Sequence, residues 1–167
     1  MQRIMVIGCG GSGKSTFSKE LHTKLGLPLV HLDREFFSPG WVEPDRADWE
    51  HTMRKLVAAD RWILDGNYGG TMNIRFGRAD TVFFLAYSRW HCVYYILKRW
   101  WNNRGQSRSD MAEGCEEKME WKFLWYVFRY NDTRRPGILK KLAALPKEKQ
   151  VYVFRKRQEQ NAFLAQL

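Results

Sequence analysis

Cysteine is scarce in this chain, and its scarcity removes whole classes of protein. Cys9, Cys92 and Cys115 stand far apart among 167 residues. An odd number at wide spacing builds no disulfide framework, and no C-x-x-C pair offers a zinc site. A reducing, cytoplasmic setting is therefore expected. Long apolar runs are missing too: Val82 to Tyr87, as long as any in the chain, falls far short of the ~20 residues that cross a bilayer. The chain enters an apolar run within a few residues of Met1, so no secretory leader is expected. No internal repeat or low-complexity tract is present, which argues against solenoids and disordered arrays. His22, His31, His51 and His91 are isolated in sequence, and neither a catalytic triad nor a histidine metal site is legible. Acidic residues are also in deficit, 18 against 28 basic, for a formal net charge of +10. That excess points to anionic partners, whether nucleotides, nucleic acid or acidic lipid, with a merely basic surface as the plainer alternative.

What is present describes one globular domain over residues 1–167. Apolar residues make up 44% and charged residues 28%, enough for a full core without covalent staples. Strand-like and helix-like stretches alternate. Ile4 to Ile7 reads as a buried strand, and Phe17, Leu21 and Leu25 then recur every four residues along a helix that Gly26 and Pro28 end. Leu29 to Leu32 reads as a second strand with Asp33 at its end. A turn-rich stretch from Phe36 to Pro44 precedes a helix over 45–59, and together they form an insertion over about 34–60. Arg61 to Leu64 is a third strand ending at Asp65-Gly66, 66–77 reads as loop, and Thr81 to Leu85 is a fourth strand. Helices are expected over 89–102, 116–130 and 138–145, with a last strand at Val151 to Phe154 before a terminal helix. Between the first two of these helices, about 103–115 is polar, basic and glycine-punctuated, as a lid is. Strand–helix alternation with short joints gives an α/β fold, three layers around a five-stranded parallel sheet. The rings of the 116–130 helix, at helical spacing, are assigned to the core.

Ligands of such sheets lie beyond the carboxyl ends of the strands. That rim collects Gly8, Asp33, Asp65, Tyr87 and Arg155. The stretch Gly8-Cys9-Gly10-Gly11-Ser12-Gly13-Lys14-Ser15-Thr16 leaves the first strand and opens the first helix. It fits G-x-x-x-x-G-K-[ST], the phosphate-cradling P-loop, with Gly8 to Thr16 around the phosphates of ATP. Lys14 would reach the β- and γ-phosphates and the Ser15 hydroxyl would hold Mg²⁺. Asp65, ending the third strand, fits an acid that holds the metal's water shell. The same residues also spell G-x-G-x-x-G, with Asp33 as the ribose-binding acid of a dinucleotide site, so a dehydrogenase is a rival reading. That rival leaves Lys14-Ser15-Thr16, Asp65 and the basic lid without a purpose. In a kinase Asp33 would accept a hydroxyl proton as general base, or position an acceptor that is already ionised. Arg99 and Arg104, from the cluster Lys98-Arg99…Arg104…Arg108, would stabilise charge on the transferred phosphoryl group, with Lys14 and Asp33 completing the catalytic set.

Several of these motifs carry a family resemblance. Ile63-Leu64-Asp65-Gly66 resembles the strand-end Asp-Gly of adenylate kinases, and P-loop, Asp33 and lid fall in the order found there. More closely, the chain is similar to the bacterial DNA topology modulation proteins, small P-loop kinase-like proteins. The likeness is carried by Gly8 to Phe17, His31-Leu32-Asp33, Pro39-Gly40-Trp41, Asp65-Gly66-Asn67-Tyr68, Arg78-Ala79-Asp80 and Asp110 to Cys115, and runs to about Phe154. It implies a nucleoside-monophosphate-kinase-like sheet ordered 2-3-1-4-5, with ATP and Mg²⁺ at the P-loop. Adenylate kinases continue Asp-Gly with Phe-Pro-Arg, whose arginine holds the monophosphate; here Asn67-Tyr68-Gly69 follows, which counts against AMP as acceptor. Candidates on the acceptor side are Asp33, Trp41, Asn67, Tyr68, Arg75 and Arg134. The expected activity is transfer of the ATP γ-phosphoryl group to a small acceptor: a nucleoside, a nucleotide or another hydroxyl compound. A nucleotide-gated DNA-binding protein is the second reading, motivated by the charge and the basic aromatic segment from Tyr94 to Arg108, although no DNA-reading motif is visible.

Overall fold

A computed structural model of the chain describes residues 1–103, 111–112, 114–115 and 120–167. Five strands form one sheet: β1 (Arg3–Gly8), β2 (Leu29–His31), β3 (Trp62–Asp65), β4 (Thr81–Leu85) and β5 (Gln150–Phe154). All pairs are parallel and the order is β2-β3-β1-β4-β5, as the resemblance implied. Every residue of β3 and β4 is buried, as is β1 beyond Arg3. Strands buried on both faces require helices on both, which makes the domain three-layered.

The register sets the site. Val6 pairs with Asp65, His31 with Asp65, and Gly8 with Leu85. The carboxyl ends of β1, β2 and β3 therefore open onto one rim, while Phe17, Phe83 and Phe154 pack edge-on or stacked beneath it within 6 Å.

Eight helices join and cover the strands among the described residues: α1 (Lys14–Leu25), α2 (Leu32–Phe36), α3 (Arg46–Ala58), α4 (Met72–Arg78), α5 (Arg89–Asn102), α6 (Trp121–Thr133), α7 (Arg135–Ala143) and α8 (Arg157–Ala165). Local chemistry sets several starts. The Asp45 carboxylate accepts from the Asp48 N–H at 2.8 Å to begin α3, and the Ser88 hydroxyl accepts from the His91 N–H to begin α5.

Two expectations change. Leu32 starts a helix instead of extending β2, so Asp33 lies in the first turn of α2. The segment 66–77, expected as loop, contains a 3₁₀ turn (Gly69–Thr71) and most of α4. Glycines at 69, 70 and 77 hide that short helix, yet Met72, Arg75 and Phe76 share its buried face. The lid expected over about 103–115, with Arg104 and Arg108, lies largely outside the described residues.

At the opposite, amino end of the sheet, the Asp80 carboxylate accepts from the Gln2 and Arg3 N–H groups and the Thr81 hydroxyl. Partial burial opposes ionisation, but these hydrogen bonds outweigh it and hold the carboxyl below its ordinary pKa. Its contribution to stability is therefore present above the unfolded carboxyl pKa and disappears as pH falls through the lower folded value. Asp80→Asn is expected to lose about 1 kcal/mol at neutral pH, with solvent screening allowed for. The deficit should vanish in acid; chemical denaturation at both pH values measures it.

Candidate functional site

Between β1 and α1 the chain turns through Gly8 to Gly13, and packing demands the glycines. A Cβ on Gly11, where φ is +75°, would stand 2.3 Å from the Cys92 carbonyl oxygen. One on Gly10 would stand 2.8 Å from the Phe123 ring. The loop is therefore pressed against α5 and α6 from behind, and its open side faces the rim. Gly13 precedes α1 with φ +82°, and α1 has neither a side-chain N-cap nor an acid in its first turn. First-turn N–H groups left without a side-chain cap form an anion site. The Lys14 ammonium donates to the Cys9 carbonyl at 3.1 Å, folded over the loop that it would share with phosphates.

Asn67 fixes the other edge of the loop. Its side-chain oxygen accepts from the Gly8 N–H at 3.0 Å, and its amide donates to the Gly8 carbonyl at 2.6 Å. With this pair of hydrogen bonds from the end of β3 to the end of β1, Asn67 lines the cavity with its amide already engaged by the loop. Asp65 is buried. Its Oδ2 accepts from His31 Nδ1–H at 2.8 Å, while its Oδ1 is buried without a hydrogen-bond partner among the described residues. An orphaned carboxylate oxygen beside a phosphate loop fits a metal-bound water, so Asp65 and Ser15 suit Mg²⁺. His31, isolated in sequence, is thus Asp65's partner: parallel register brings the two strand ends together.

A cavity of about 810 Å³ opens here. Gly10, Gly11, Gly13, Lys14, Ser15 and Thr16 form one end of it, joined by Asp65. Asp33, Trp41, Asn67, Tyr68 and Arg99 also line it, so most of the expected residues converge. Gly8 and Cys9 do not line it, and Ser12 lines a second, 110 Å³ pocket with Tyr87, His91 and Arg157. Arg155 lines neither space. Arg104 lies outside the described residues.

On the acceptor side, the Tyr68 hydroxyl donates to Asp33 Oδ1 at 2.6 Å. Burial raises the Tyr68 pKa, and the Asp33 charge and hydrogen bond raise it further, so the phenol stays protonated and orients the carboxylate. Tyr68 holds a left-handed backbone, φ 34°, wedged by the rings of Phe36 and Trp49.

Two arginines leave the site. Arg75 was a candidate for an acceptor phosphate, but it is fully buried and turned away from the cavity. It donates to the carbonyls of Gly66, Asn67 and Tyr68. Burial lowers its pKa to about 9, so it stays charged at neutral pH. Arg134 lies exposed at the joint of α6 and α7, outside the cavity wall.

The α6 assignment also changes. Only Val127 and Tyr130 of that helix are buried; Phe123 and Tyr126 line the cavity, and Trp121 and Trp125 are exposed. Sequence reasoning missed Phe36, Phe37, Glu43, Tyr95 and Glu120 on the wall. The turn-rich composition of 36–44 was the available signal for the first three. Residues 38–40 meet the described end of the lid, where the Gly40 N–H donates to the Gly114 carbonyl and Cys115 Sγ–H to that of Ser38.

No family model and no curated protein matches the chain. Solved structures do. A candidate kinase from Chloroflexus aurantiacus gives a TM-score of 0.56 at 17% identity, over 99% of this chain and 97% of that one. Deoxyadenosine kinase from M. mycoides with bound dATP gives 0.51 at 18% identity, over 98% and 97%. Shikimate kinase from Acinetobacter baumannii in complex with shikimate gives 0.58 at 16% identity, over 99% and 92%. At these identities the likeness shows the fold, that of P-loop kinases. No helix among the described residues is long and apolar enough to cross a membrane.

The packing of Gly11 yields a direct test. Gly11→Ala should push the loop off α5 and weaken ATP binding at least tenfold by calorimetry, roughly 1.4 kcal/mol or more, while circular dichroism stays native. Affinity within twofold of the native protein would contradict this account of the loop.

Proposed function

We propose that the chain is an ATP-dependent phosphotransferase whose acceptor is a hydroxyl compound without net negative charge, such as a nucleoside or a polyol. The observation that carries this reading is Asp33, oriented by Tyr68 and lining the same cavity as Lys14 and Ser15. Asp33 takes the proton of the acceptor hydroxyl as that oxygen bonds to the γ-phosphorus; the bond to the β–γ bridging oxygen breaks and its electrons leave with ADP. Lys14 and Arg99 are the described cations of the cavity wall, placed to offset charge on the transferred group. Arg104 remains a candidate for the same role. Ser15 and Asp65 would hold Mg²⁺, which when bound supplies charge neutralisation at the β- and γ-phosphates.

The wall supports the acceptor class. Phe36, Phe37 and Trp41 offer apolar and π surface, and Asp33, Glu43 and Glu120 add negative charge. Coulomb repulsion by these three acids disfavours a phosphate beside them, and Arg75 directs both terminal nitrogens of its guanidinium to main-chain carbonyls and not to the cavity. The resemblance to DNA topology modulation proteins agrees with a kinase-like site. Of the segment Tyr94 to Arg108 that motivates the DNA reading, Arg99 lines the cavity and Lys98 lies over the Tyr95 ring, while Arg104 and Arg108 lie outside the described residues.

Asp33→Asn should lower kcat by about 10²-fold or more for ADP release stimulated by a panel of nucleosides and polyols. Its KM for ATP should stay within threefold of native. Lys14→Ala should abolish turnover with the fold intact. Native turnover in either variant would overturn the assigned role.

A further inference from the structure

The exposed large apolar side chains of this protein are concentrated on one face. Trp90, Tyr94, Leu97 and Trp101 follow one another at helical spacing along the outside of α5, exposed by 69, 58, 41 and 65%. On α6, Trp121 and Trp125 are exposed by 77 and 61%. The helices run antiparallel: Arg89, at the start of α5, pairs with Asp132 near the end of α6 at 2.6 Å. Trp90 meets Phe128 edge-on at 5.5 Å and Trp125 stacks on Phe128 at 5.8 Å, so the two rows join into one surface. An isolated monomer gains nothing from such a surface. The largest apolar patch on an ordinary monomer is about 300–600 Å². Scaled by their exposure, these six side chains present roughly 800 Å².

We propose that this face is where two copies of the chain associate, each α5–α6 pair packing on the other about a twofold axis as a four-helix bundle. Area favours a second copy: a stable interface takes about 800 Å² from each partner, the extent of this face. Aromatic rings at the centre of the patch are what such interfaces concentrate. Charge favours it over a lipid surface, which needs cationic heads projecting past the rings. Among the described cations of the two helices, Arg89 is tied to Asp132 and lies over Phe128, Arg129 lies over Trp125, Lys98 lies over Tyr95 and Arg99 lines the cavity, which leaves Lys122 of α6, a single cation, for a lipid headgroup. The inner sides of the same helices carry Tyr95, Arg99, Phe123 and Tyr126 into the cavity, so association would brace the wall of the site.

Light scattering of the full chain at micromolar and tens-of-micromolar concentrations tests this. The native protein should show twice the chain mass. Trp90→Glu with Trp125→Glu should show the chain mass, with circular dichroism unchanged. Val42→Glu, an exposed position outside this face, should remain a dimer. If the double variant fails to fold, Tyr94→Arg alone should still produce the monomer. A native monomer at every concentration, or a folded face variant that stays dimeric, would overturn the proposal. So would a native monomer that sediments with phosphatidylglycerol vesicles, since lipid would then be the occupant.

Discussion

The site rests on the grip of Asn67 on the main chain of Gly8. Parallel pairing sets β1 and β3 side by side, and beyond their last pair the two chains diverge. The Asn67 side chain spans that divergence with a donor and an acceptor. Arg75 in turn holds the carbonyls of Gly66, Asn67 and Tyr68. A buried cation is costly unless its charge is compensated and its donors are engaged, and the Asp65 carboxylate acts on Arg75 in that sense. Three carbonyls converging on its two terminal nitrogens fix the path of the strand-end loop. The glycine loop, Asp65 and the phenol that orients Asp33 thus share one support.

The opposite support is α5 and α6. Their inner residues leave no room for a Cβ on Gly10 or Gly11, and a second row of side chains walls the cavity. Both helices are rich in rings because three surfaces need them: core, cavity and outer face. A helix with rings on several faces ordinarily signals extensive burial. Here it signals several contacts, and the outer one is met in the proposed dimer.

Much of this was legible in sequence because local chemistry decided it. The strand–glycine–helix junction at Gly8 to Thr16 and the apolar cores of β1, β3 and β4 are short-range patterns. What escaped was decided at long range. Arg75 looked like a phosphate ligand because it is basic and near the rim; only its buried helical face turns it inward. His31 and Asp65 are 34 residues apart, and parallel register alone makes them neighbours. The short helix α4 lay hidden among glycines that break periodicity. The rings of α6 were assigned to the core because spacing cannot tell a buried ring from one facing a cavity or a partner.

The central claim is that the cavity transfers phosphoryl groups to an uncharged or cationic hydroxyl. Its most direct measurement follows the label of γ-labelled ATP in the presence of nucleosides and, separately, their 5′-monophosphates. The account predicts a labelled phosphate ester on the nucleoside hydroxyl, formed faster than inorganic phosphate is released. Label passing only to the monophosphates, or appearing solely as inorganic phosphate with every acceptor, would contradict it.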